Sequence, residues 1–227
     1  MTPPAGVGAP GSPPPETGSP RETATSPAGG SRGGGVALAA ARLLTEVFAP
    51  VPLIFVVLLV VAAHEAATPA RGVLLGLVAA FFAGGLPFTV VLVGIRRGRL
   101  TDHHLTRREE RPLMLAVGLA SVSAGLAVLM VLDAPRALYA LVVAMVCGVV
   151  VALVVTVFWK ISIHVACAAG TVAVLVEVLG PPWLATAPLV LAVAWARITL
   201  RHHTPGQVLV GATVGYAIAA AVMRVLG

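Results

Sequence analysis

The chain has 227 residues, of which 58% are hydrophobic and only 11% charged, with a mean hydropathy of +0.98. Such a composition excludes a soluble globular domain and marks an integral membrane protein. The net charge of +6 does not describe a nucleic-acid-binding face, because the basic residues gather in short loops between apolar runs, a pattern that reports membrane orientation and an anionic ligand.

Residues 1–35 are dominated by Pro, Gly, Ser and Thr, as in "GSPPPETGSP" and "SRGGG", and read as a disordered tail with nothing to bury. The tail lacks the basic start, apolar centre and small-residue cleavage site of a signal peptide, so the first apolar run is expected to be a retained anchor. Residues 36–227 form the membrane domain. Spanning helices need ~20 mostly apolar residues, which places spans at about 42–63, 72–95, 112–132, 136–157, 163–179, 184–200 and 206–226. Pro50 and Pro52 kink or unwind the first near its start. The fifth and sixth are short and joined by "GPPW". Aromatics are scarce and no period-2 alternation occurs, which disfavours a β-barrel. The fold class expected is all-α, a polytopic transmembrane helix bundle of six to seven spans.

With seven crossings, the loops after spans two, four and six share one membrane face with the tail. They are "RRGRLTDHHLTRREERP", "FWKISIH" and "RITLRHHTPGQ", and they hold nearly every polar residue of interest. That face carries Arg96, Arg97, Arg99, Arg107, Arg108, Arg111, Lys160, Arg197 and Arg201, against Arg71, Arg136 and Arg224 on the other, so the positive-inside rule places the polar loops and the tail in the cytoplasm of a cell-membrane protein.

The loops combine permanent cations with a serine and histidines, while carboxylates are few. This composition suits an anion and not a metal, because arginines beside the histidines repel a cation and the guanidinium fork matches phosphate oxygens. Lys160 and His164, Arg197 and Arg201, and His203 and Gln207 are each four apart and share a face wherever the backbone is helical. Helices starting near Ser162 and Pro205 would aim free N–H groups at the same anion. Two histidines from different loops then allow one to attack phosphorus and the other to protonate the departing oxygen.

This order of motifs resembles the three-part signature of the type 2 phosphatidic acid phosphatase (PAP2) superfamily, KxxxxxxRP, PSGH and SRxxxxxHxxxD. The matching stretches are "HLTRREERP" from His104 to Pro112, "ISIH" from Ile161 to His164, and "ARITLRHHTPGQ" from Ala196 to Gln207. The resemblance implies a membrane lipid phosphatase working without a metal or other cofactor, with a lipid phosphate as substrate and membrane lipids, not nucleic acid, as surroundings. His203 would be the nucleophile that forms a phosphohistidine and His164 the general acid, while Arg111, Arg197 and Ser162 would cradle the phosphate. His104 stands at the family lysine, and Lys160 supplies that charge from a neighbouring loop. Asp102 and His202 are supporting candidates.

The departures are Ile161 for proline, Ile163 for glycine, Ala196 for serine and Gln207 for the final aspartate. Gln207 can hold the histidine tautomer but supplies no negative charge, which Asp102 or Glu109 would have to restore. These departures motivate a rival expectation, a non-catalytic relative that binds or transports phospholipids. Outside the motifs, "GATVG" reads as a close helix-packing stripe, His64 as structural, Cys147 and Cys167 as membrane-buried thiols, and the intramembrane Glu177 is left without a role.

Overall fold

In the computed structural model, residues 1–2, 32–98 and 111–227 are described, apart from the side chains of Arg32, Gly33 and Arg111. His104, Asp102 and Glu109 lie outside the described residues, as does nearly all of the tail. The described residues of the unit Arg32–Gly227 are mostly helical: α1 (Arg32–Val47), α2 (Pro50–Glu65), α3 (Pro69–Ala80), α4 (Leu86–Arg96), α5 (Arg111–Val131), α6 (Arg136–Phe158), α7 (Ile163–Leu179), α8 (Pro188–Thr199) and α9 (Pro205–Leu226). Among the described residues, five segments are long and apolar enough to cross a membrane, six if the bent pair α1–α2 counts as one, and α7 has 17 residues.

Prolines explain the irregularities. Pro50 forces Ala49 into extended backbone (φ −63, ψ 156), so the first span breaks there and its halves meet at 46°. Pro87 has no N–H to donate and its ring crowds the carbonyl four residues earlier. The helix responds with a π-turn at Phe81–Gly85, within one 28-residue span from Pro69 to Arg96. Ser121 of α5 donates to the Phe82 carbonyl within that turn at 2.6 Å, giving the widened ladder a partner.

Leu58, Leu129, Leu138, Val142 and Val174 centre a core shared by α2, α5, α6 and α7, while large apolar side chains such as Val56, Leu74, Leu113, Phe158 and Leu191 stay exposed. An outward apolar surface of that kind suits lipid and not water. The tightest packing joins α7 to α9. A Cβ added at Gly211 would lie 2.7 Å from the Ser162 carbonyl oxygen, and one at Gly215 would run into the Ala166 backbone. The expected packing stripe is therefore real: backbones touch where only glycine fits.

At the end away from the polar loops, cations are occupied by the protein itself. Arg71 donates to the carbonyls of Leu132 and Asp133 at 3.1 and 2.9 Å, and Arg136 to the Leu226 carbonyl at 2.7 Å. Arg224 pairs with Glu177 at 2.8 Å, which gives that carboxylate a structural role.

Candidate functional site

Three helix ends assemble the site. Ser162 caps α7 in extended backbone, so His164 falls in that helix's first turn. Arg197 lies in the last turn of α8, and the short turn from Leu200 to His203 leads into α9. Arg201 takes φ 54, a left-handed conformation uncommon for a side chain of its size, and this reversal separates its neighbours. Arg201 and His202 line an outer depression with Arg42 and Thr45, whereas His203 turns inward. The backbone N–H groups of His202 and His203 both donate to the Arg197 carbonyl, at 3.1 and 3.3 Å, which ties the histidine pair to the arginine. A further bond, from Ser162 N–H to the Gln207 carbonyl at 3.3 Å, joins the second and third motifs directly.

His164, Arg197 and His203 line one cavity of about 430 Å³. They are 6%, 3% and 7% exposed, which puts a permanent charge and two imidazoles in surroundings of low dielectric, where they act on an anion more strongly than in water. The remaining wall is mostly apolar, from the α1–α2 break, the π-turn, α4, α5 and α6, and includes Pro50, Phe88, Leu115 and Val149. The N-termini of α7 and α9 and their partial positive charge lie at this end of the molecule. Below it, Val165, Val193 and Val208 pack with Leu53 and Ala168, so each of the three helices whose ends form the site has a buried side chain beneath it.

The side-chain oxygen of Gln207 has two partners. Thr204 and Gln207 form a capping box at the start of α9, in which the Thr204 N–H donates to Gln207 Oε1 at 3.2 Å. The same oxygen lies 3.2 Å from His203 Nδ1. Because a backbone N–H can only donate, the amide atom facing Thr204 is the oxygen, and His203 Nδ1 must carry the proton it shares with that oxygen. The lone pair of His203 is thereby left on Nε2.

Other candidates are placed differently. Ser162 is fully buried beneath α9, does not line the cavity, and its hydroxyl has no hydrogen-bond partner among the described residues. Lys160 precedes α7 in non-helical backbone, and Arg201 follows α8, so neither pair expected to share a helical face with His164 or Arg197 does so; the Ser162 cap and the left-handed turn intervene. Lys160 and His202 do not line the cavity. Arg111 is the first residue of α5, four and seven positions before Leu115 and Gly118, which do line it.

Sequence reasoning missed Glu46. This carboxylate, near the end of α1, lines the cavity with His164, Arg197 and His203 and also lines the outer depression. Its signal was slight: a single acidic residue just before the Pro-containing break, far upstream of any motif. The chain matches no family model, no curated protein and no solved structure.

Proposed function

We propose that the chain is a metal-independent membrane lipid phosphatase that hydrolyses a phosphate monoester or diphosphate on a lipid through a phosphohistidine, as its resemblance to the type 2 phosphatidic acid phosphatase superfamily implies. The observation that carries this reading is the shared cavity: two histidines and a buried arginine from separate helices line one largely apolar space. His203 Nε2 attacks phosphorus while Gln207 holds the Nδ1 proton. The phosphorus–oxygen bond to the lipid breaks, and His164 gives its proton to the departing oxygen. Water then attacks phosphorus, its proton goes to His164, and the phosphorus–nitrogen bond breaks, which restores both histidines. Arg197 neutralises the phosphoryl oxygens throughout, with Arg111 proposed as a second clamp. The site faces the cytoplasm of a cell membrane in this reading, which favours a biosynthetic lipid phosphate.

The test is phosphate release from a panel of lipid phosphates by purified protein in detergent. His203→Ala is expected to lower turnover at least ~10³-fold, the scale seen when a covalent nucleophile is removed, and His164→Ala also lowers it severely. Activity surviving both changes overturns the mechanism. The amide at Gln207 favours one alternative, a non-catalytic lipid-phosphate binder; retained binding with no turnover of any substrate would establish that reading instead.

A further inference from the structure

Ile161 and Ile163 stand where the resembling signature has proline and glycine, on either side of Ser162 and beside His164. Both line a second cavity, of about 160 Å³, between α2, α5, α6, α7 and α9. Ile163 lines the first cavity as well, as do Ile54, Leu115, Met145 and Val149, so the two spaces share a wall. The second cavity is apolar apart from Thr171 and the Cys167 thiol. Gly148 opens it: a Cβ built there meets nothing within 4 Å, in contrast to the crowded glycines of α9. Apolar surface therefore begins within one residue of the proposed general acid and continues away from the phosphate end.

We infer that this second cavity holds the hydrocarbon chain of a single-chain lipid phosphate, with Ile161 and Ile163 as specificity-determining residues that meet the carbons next to the phosphate. The inference rests on the lipid phosphatase reading above and narrows its substrate. A lipid chain gains little by exchanging bilayer for an equally apolar protein wall. Selection must come from fit and from what the wall refuses. A diacylglycerol phosphate would bring two ester carbonyls and a second chain to the position of Ile161 and Ile163, where isoleucine offers no donor, so its carbonyls would lose their hydrogen-bond partners. A prenyl or alkyl phosphate carries only hydrocarbon beyond the phosphate oxygen, with no ester carbonyl, and meets no such penalty. The smaller volume of the second cavity admits one chain where the first is wide enough for the headgroup.

The test uses the full chain in detergent and a long-chain alkyl monophosphate bearing a diazirine in mid-chain, with prenyl monophosphate, alkyl monophosphate and phosphatidic acid as unlabelled competitors. Expected is photolabelling of α6 and α7 between Met145 and Thr171, displaced by either single-chain phosphate at concentrations about tenfold or more below those phosphatidic acid requires; the two single-chain competitors separate a prenyl from an alkyl source. Gly148→Phe is expected to cut that labelling about tenfold or more with an unchanged unfolding midpoint, and Ile163→Gly to bring phosphatidic acid toward parity. Labelling unaffected by Gly148→Phe, label confined to other helices, or equal labelling of the same peptides by a phosphate-free diazirine diacylglycerol overturns the inference. Labelling is read without turnover, so a chain labelled as expected that releases no phosphate keeps the tail site and sinks only the phosphatase reading. Phosphate release with label elsewhere does the reverse.

Discussion

The amide of Gln207 meets two local demands with one oxygen, closing the cap on α9 and accepting the His203 Nδ1 proton. What it omits is charge: in the proposed mechanism phosphoryl transfer to Nε2 would leave a cationic ring, and an amide offers such a ring only a dipole. Glutamate at 207 has the same reach and adds the charge, so Gln207→Glu is expected to raise kcat/KM about tenfold, a modest fraction of the Coulomb energy available at hydrogen-bond distance. Among the described residues, Glu46 is the carboxylate on the cavity wall. Glu46→Gln is expected to lower kcat/KM about tenfold, and Gln207→Glu in that background to restore it, since charge and not shape is missing. A Glu46→Gln loss that Gln207→Glu leaves unrepaired would make Glu46 a structural residue only. His203, Arg197 and Gln207 could be picked out together in the sequence because they fall within one stretch of 11 residues, from Arg197 to Gln207. Glu46 was not, because its approach to them depends on the packing of α1 against α8 and on the bend at Ala49.

At the level of elements, the site is only as well aligned as the α7–α9 contact that sets the Ser162–Gln207 bond. Gly215→Leu would force those helices apart against backbone, not against a yielding side chain. It should cost at least ~1–3 kcal/mol, the usual range for overpacking, read as a lower unfolding midpoint in detergent. Gly206, near the start of the same helix, is exposed with open space around it. Gly206→Ala is expected instead to stabilise by roughly 0.4–1 kcal/mol through the unfolded chain. The apolar helices themselves were legible from hydropathy, and the break near Pro50 from proline chemistry. The π-turn was not, because whether a chain with Pro87 kinks, ends or widens depends on a partner for the freed carbonyls, here Ser121 from another helix. The helical pairing of Arg197 with Arg201 failed for a similar reason: periodicity continues on paper past Thr199, but the left-handed turn at Arg201 stops the helix.

Across the whole molecule, the two ends use their cations differently, and this bears on orientation. Arg71, Arg136 and Arg224 are held by carbonyls and by Glu177 at one end, so they answer to packing, while Arg197 at the other lines the cavity. A residue selected by packing or by ligand is weak evidence for topology, since the positive-inside rule concerns charges free to interact with the insertion machinery. Setting both groups aside leaves, among the described residues, Arg42, Arg96, Arg97, Lys160 and Arg201, all exposed except the half-buried Lys160 and all at the site end. That residual bias supports a cytoplasmic site. Arg201→Cys and Trp183→Cys, at exposed positions on opposite ends, convert it into a measurement. With a membrane-impermeant thiol reagent on intact cells, Trp183→Cys is expected to label and Arg201→Cys to label only after the membrane is opened. Cys147 and Cys167 are partly buried within helices, and the unsubstituted chain sets their background. The reverse pattern would place His203 on the outer surface, and the substrate would then be a lipid phosphate released outside the cell and not an intermediate of synthesis within it.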